Sequence, residues 1–168
     1  LASGKPASLA LKDSSESRVK IYMRDGVFCW AKFRSKDGEE SIDAPRKALF
    51  RGLAMREGSY RVRGFEREKE FPGILEDEAD DLLVEAEAQR IELEGYADLM
   101  PDLDARLELV QPLESRLSAL NEVLLDTLQL VLNEGHVRSV LDQSTATDLE
   151  TWQDLLYLLQ NDYIVVAH

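Results

Sequence analysis
Residues 18–34 read RVKIYMRDGVFCWAKFR, two alternating runs on either side of Asp25-Gly26. Val19, Ile21 and Met23 alternate with Lys20, Tyr22 and Arg24; Phe28, Trp30 and Lys32 alternate with Val27, Cys29 and Ala31. A period of two marks a strand with one buried face. Asp-Gly between two such runs predicts a hairpin closed by a type I′ turn, whose central residues both need positive φ. With Asp25 and Gly26 central, Met23 faces Phe28 and Ile21 faces Trp30, and these four form the apolar face. The opposite face then carries Lys20, Tyr22, Arg24, Cys29 and Ala31. Residues 7–11 read as an earlier strand and residues 59–65 as a later one.

Helical spacing fills the rest of the chain. After the hairpin, Asp43 is a candidate cap and Pro45 stands where a missing N–H costs nothing. Ala48, Leu49, Leu53 and Met55 supply the stripe of that helix, and Gly58 suits its left-handed stop. Over residues 74–97, Leu75, Ala79, Leu82, Ala86, Leu93 and Tyr96 recur at helical spacing, interrupted by Gln89 and widened by Leu83 and Ile91. This predicts one long amphipathic helix. Further on, Ser118 precedes a helix bearing Leu120, Val123, Leu124, Leu128, Val131 and Leu132, ended by Gly135. Residues 137–142 form a short helix. Thr147-Asp148-Leu149-Glu150 is a capping box. It opens a helix with Leu149, Trp152, Leu155, Leu156 and Leu159, and residues 163–166 follow as a strand. Helix, short helix, helix, strand is the order of a winged-helix domain.

Charge divides the chain. Residues 1–72 hold 16 Lys+Arg against 11 Asp+Glu, net +5; residues 73–110 hold 2 against 13, net −11; residues 111–168 hold 2 against 9, net −7. The expected fold is therefore α+β in three parts. Residues 1–72 form a small antiparallel sheet with a helix, residues 73–110 a long acidic helix and connector, and residues 111–168 a winged-helix-like module.

The sequence contains no P-loop, nucleophile elbow, CxxC or HExxH, so no enzymatic activity and no cofactor are expected. Acidic pairs such as Asp77-Asp81 resemble metal ligands, but they lack the loop glycine and ligand spacing of a calcium site and read as a solvated helix face. Two histidines, His136 and His168, are too few for a His-based metal site. The single cysteine, Cys29, excludes an internal disulfide and suits a reducing compartment, so the cytoplasm is expected. Beside Tyr22 and Lys20 it reads either as a reactive thiolate or as a small buried hydrophobe. No run approaches the ~20 apolar residues of a membrane helix. The chain shows no signal peptide, begins at Leu1 rather than Met, and is read as a fragment of something longer. DNA binding by the winged-helix-like module is not expected. Its would-be recognition helix has no Lys or Arg, and phosphate contacts supply most of the affinity for DNA. The stripe of the acidic helix is expected to pack within its own chain in preference to pairing with a second copy, because acid-rich flanks would meet like charges in a parallel dimer.

Four segments together resemble a known family. Ile21-Tyr22-Met23-Arg24-Asp25-Gly26-Val27-Phe28-Cys29-Trp30-Ala31 is similar to its strand, turn glycine and second strand ending in a small residue. Leu49-Phe50-Arg51-Gly52-Leu53-Ala54-Met55-Arg56-Glu57-Gly58-Ser59-Tyr60-Arg61-Val62 resembles its helix, glycine and aromatic-bearing strand. Leu82-Leu83-Val84-Glu85-Ala86 is similar to the start of its long helix, and Gly135-His136-Val137-Arg138-Ser139-Val140-Leu141 to its turn into the second winged-helix segment. The family is PATAN, the PatA amino-terminal domain. Its usual first strand and leucine-rich helix would precede this chain, and it often has an aromatic where Met55 stands. The resemblance implies a bacterial signalling adaptor acting by protein–protein interaction in two-component, motility or developmental circuits. Its partners would be other signalling proteins, such as a receiver domain or a motility or pilus component. The alternative is a nucleic-acid-binding regulator using the basic N-terminal sheet. The partner surface is expected on the hairpin face bearing Lys20, Tyr22, Arg24, Val27 and Cys29, because Tyr and Arg combine apolar contact with a polar handle.

Overall fold
The computed structural model describes residues 5–36, 43–73, 75 and 77–167. Positions 74, 76 and 168, drawn into the readings above, lie outside them. The architecture is mixed α+β, and the chain divides into two compact units, residues 1–91 and 92–168.

The first unit is built on β1 (Ala7–Lys12), β2 (Arg18–Arg24), β3 (Val27–Arg34) and β4 (Ser59–Gly64). Their order in the sheet is β3-β2-β1-β4, and every pair is antiparallel. Asp25 and Gly26 turn the β2–β3 hairpin with φ of 52° and 84°, as a type I′ turn requires. The expected register holds only next to the turn. Met23 faces Phe28, but the ladder then shifts, so that Ile21 faces Ala31 and Tyr22 faces Trp30. Cys29 is the extra residue of a β-bulge, and strict alternation cannot see one. Trp30 therefore leaves the apolar face to which alternation assigned it. The buried face holds Val19, Ile21, Phe28 and Ala31, with Met23 and Phe33 packed against them.

Helix α1 (Pro45–Ala54) covers β2 and β3 on that face with Ala48, Leu49 and Phe50. Three expectations change here. The cap is Ala44, whose methyl group makes no capping bond, and the Asp43 carboxylate one position earlier accepts from the Trp30 indole N–H at 3.2 Å. The helix ends at Ala54, capped by an extended Met55, and Leu53 is exposed. Gly58 lies in the bend just ahead of β4 rather than at the helix stop. Its φ is +140°, and a Cβ there would lie 2.1 Å from the Lys12 carbonyl oxygen.

Helix α2 (Ala79–Tyr96) starts later than its apolar spacing suggests, and Leu75, ahead of it, is buried from outside the helix. Leu82 is fully buried and Ala86 nearly so in the first core, whereas Leu83 and Ile91 do not widen the stripe but are exposed. Part of the acidic run has a structural task. Arg46 of α1 holds Asp77 at 2.6 Å and both carboxylate oxygens of Glu85.

The second unit contains α3 (Glu122–Glu134), α4 (Val137–Gln143), α5 (Asp148–Gln160), β5 (Leu107–Leu109) and β6 (Ile164–Val166). Ser118 sits in a 3-10 turn, and α3 is capped by Asn121, whose side chain accepts from the Leu124 N–H at 2.9 Å. Val123 and Leu132 of its expected stripe are exposed. The capping box on α5 forms from both sides, Thr147 with the Glu150 N–H and the Glu150 carboxylate with the Thr147 N–H. Strand β6 pairs with β5, a partner lying in the stretch read as connector. The core gathers Leu128, Val131, Val137, Val140, Trp152, Leu155 and Leu158, with Leu93 of α2 packed against them.

Asp154 of α5 accepts a hydrogen bond from the Thr127 hydroxyl of α3 at 3.0 Å. Partial burial pushes its carboxyl pKa up, the Thr127 bond opposes that, and the Glu150 carboxylate adds to it. A carboxyl whose folded pKa is raised stabilises the fold only at low pH, and that contribution is lost as pH rises through the folded pKa. Asp154→Asn keeps an acceptor for Thr127 and removes the charge. It is expected to raise the melting temperature at neutral pH, with the gain fading as pH falls through the carboxylate range. A variant that melts below wild type at neutral pH contradicts this.

Candidate functional site on the outer face of the first sheet
The sheet face turned away from α1 is assembled by alternation and by the register. Strand β2 places Arg18, Lys20, Tyr22 and Arg24 there, β3 places Val27, Trp30, Lys32 and Arg34, β1 places Ser8, Ala10 and Lys12, and β4 places Ser59, Arg61 and Arg63. Eight of these side chains are cationic and none is acidic, in a chain whose net charge is −13.

One end of this face is roofed. The segment leaving β4 doubles back across the outer side and lays Phe65 and Phe71 on the β2–β3 hairpin. Tyr22 is the hub, with ring centroids 4.9 Å from Phe71, 5.5 Å from Phe65 and 5.8 Å from Trp30. Phe71 also stacks on Trp30 at 5.8 Å and meets Phe65 edge-on at 5.9 Å. Cations close the cluster. Lys20 and Lys69 stand 4.9 and 5.0 Å from the Tyr22 centroid, and Arg24 lies 5.8 Å from Phe65 and 6.0 Å from Phe71. Such contacts contribute about 0.5–1 kcal/mol each where exposed and more where water is excluded. Arg24 also donates to the Lys69 carbonyl at 2.7 Å, and Arg67 pairs with Asp25 at 2.8 Å. Beyond the roof, the Leu75 N–H donates to the carbonyl of the bulged Cys29 at 3.1 Å.

Of the residues expected to carry a partner surface, Lys20, Tyr22 and Arg24 are brought together in this cluster. Tyr22 is only 4% exposed and so supports the face from beneath. Val27 is exposed beside Arg24, while Cys29 is half-buried at the bulge. Burial pushes the Cys29 thiol up, against a smaller downward pull from Arg24, which favours the unreactive reading. The sequence assigns Trp30 to the apolar face and gives Phe65, Lys69 and Phe71 no part in the site. The signal for two of them is the pair Phe65 and Phe71, aromatic residues bounding an otherwise charged stretch.

Among the described residues, no group of three or more His, Cys, Asp or Glu is placed to hold a metal ion, and no helix is long and apolar enough to cross a membrane. Comparisons with family models, with curated proteins and with solved structures give no match to this chain.

Proposed function
We propose that this chain is a bacterial signalling adaptor that docks on acidic surfaces of other signalling proteins through the outer face of its first sheet. The observation that carries the reading is that the four strands themselves place eight cationic and no acidic side chains on one face of an otherwise acidic chain. An anionic surface approaching that face is attracted, and the rest of the molecule turns it away from competing sites. The aromatic roof holds part of the face rigid, which lowers the entropy lost on docking. The resemblance to PATAN supports the signalling context in two-component, motility or developmental circuits. It also supports a cytoplasmic setting and a winged-helix-like second module. The run of α3, α4, α5 and β6, with α5 free of Lys and Arg, suits a module that binds protein rather than DNA.

The same cations favour a second reading, a nucleic-acid-binding regulator, because phosphates are recognised by the same charges. One experiment separates them. Wild type and an Arg18→Glu, Lys20→Glu double variant are crosslinked in the native cell, and both are titrated with a short fluorescent DNA duplex. The adaptor reading expects a protein crosslink that the folded variant loses, with weak duplex binding. Submicromolar, salt-sensitive duplex binding by wild type selects the regulator instead. An identical set of protein crosslinks in both overturns the assignment of the face.

A further inference from the structure
Strand β4 is a sheet edge, and all six of its residues are exposed. The Phe65 N–H donates to the Pro6 carbonyl at 3.3 Å, which fixes the phase of the β1–β4 ladder. In an antiparallel pair, hydrogen-bonded and non-hydrogen-bonded residue pairs alternate. Given the pairs Ser8–Arg63 and Ala10–Arg61, the backbone groups of Arg61 and Arg63 turn towards β1. Those of Tyr60, Val62 and Gly64 turn towards the free edge. Among the described residues nothing pairs with these groups, so the edge presents a row of donors and acceptors about 20 Å long at about 3.3 Å per residue.

Its two sides differ in chemistry. On the helix side, Tyr60 and Val62 stand opposite Leu11 and Leu9, yet they are 75% and 54% exposed. The cause is the position of α1, which packs on β2 and β3 at the other end of the sheet. On the outer side, Arg61 and Arg63 stand opposite Ala10 and Ser8, side chains too small to screen them.

We infer that β4 accepts an extended peptide by strand addition, and that the occupant alternates acidic and apolar side chains. Its acidic residues would meet Arg61 and Arg63, its apolar residues would lie beside Tyr60 and Val62, and its backbone would complete the ladder. The arginines also exclude the obvious competitor. A second copy pairing through β4 sets arginine against arginine in the two antiparallel registers that match the faces over most of the strand, Arg61 opposite Arg61 or Arg61 opposite Arg63, and like charges opposite one another are destabilising. Positive charge on an edge guards against self-association in the same way. The inference rests on the reading of this chain as a protein-binding module and names the partner's local chemistry.

The test uses the whole chain and a short synthetic peptide alternating glutamate and valine. A scrambled peptide of the same composition and a peptide alternating lysine and valine serve as comparisons. The alternating acidic peptide is expected to bind and to protect the Tyr60, Val62 and Gly64 amides from hydrogen exchange. Val62→Pro deletes an edge donor without touching the β1 ladder and is expected to weaken binding about tenfold or more. If Val62→Pro perturbs folding, Val62→Lys is read instead, because it sets a charge where the apolar row should lie. Arg61→Glu with Arg63→Glu should reverse the preference towards the lysine peptide. Failure of the acidic peptide to bind folded wild type, protection elsewhere, or equal affinity for the lysine peptide overturns the inference. So does a concentration-dependent dimer that Val62→Pro abolishes, which would make a second copy the occupant. If peptide binding fails while the crosslinks lost with Arg18 and Lys20 remain, the strand-addition inference falls and the adaptor reading stands.

Discussion

Tyr22→Ala is expected to destabilise the first unit by about 3–5 kcal/mol, the range for truncating a large buried aromatic side chain. The ring is 4% exposed and contacts three other aromatic rings and two lysine ammonium groups. Removing it leaves Phe65 and Phe71 without a floor, so the loss extends beyond one side chain's transfer energy. Equilibrium urea unfolding followed by Trp30 fluorescence in a Trp152→Phe background measures it. Tyr22→Phe retains the stacking and should recover most of the stability. A Tyr22→Ala variant within about 1 kcal/mol of wild type, well below that range, would mean that the cluster contributes little to the fold. In that case the partner surface could be probed by truncating Tyr22 directly.

Gly58→Ala is expected to destabilise by about 2–3 kcal/mol, with the damage concentrated where β4 joins β1. Two effects coincide at this position. A φ of +140° is strained for any residue with a Cβ, and the added carbon would sit 2.1 Å from the Lys12 carbonyl oxygen, which is backbone and cannot swing aside. Gly64, at the far end of β4, supplies the comparison. Among the described residues a Cβ there meets only the Pro6 carbonyl oxygen at 3.8 Å, an ordinary contact, so Gly64→Ala should be close to neutral. Hydrogen exchange of the β1 and β4 amides, together with the urea midpoint, reads both variants. Equal midpoints for the two would show that the strand relaxes around residue 58.

Local punctuation explains which elements the sequence discloses. Helix α5 is legible from end to end because Thr147 and Glu150 announce its start and its apolar positions are uninterrupted. Gly135 closes α3 for the same local reason, while its start is shifted by Asn121, a better-placed acceptor than Ser118. The hairpin turn is equally local. What alternation cannot carry is an inserted residue, so one bulge sent Trp30 to the wrong side. The aromatic roof is hidden for a different reason. Arg24 and Lys69 are separated by 45 positions, and contacts over such distances leave no periodic trace. The exposure of Tyr60 and Val62 is hidden too. It depends on where α1 lands across the sheet, whereas their own alternation reads as that of any half-buried strand.

The bulge at Cys29 makes that residue a spacer whose side chain is secondary. Without it, Phe28, Trp30, Ala31 and Phe33 would run in regular alternation and keep the faces they now occupy. The ladder would therefore survive a deletion that looks severe on paper. A bulged residue is, however, left out of the strand pairing, and its carbonyl is at liberty to serve another segment. Here that carbonyl receives the Leu75 N–H and guides Leu75 into the core just ahead of α2. The lesion from losing Cys29 would thus surface some forty-six positions downstream, by sequence numbering, at the approach to α2, while the strand that lost the residue would show little sign of it.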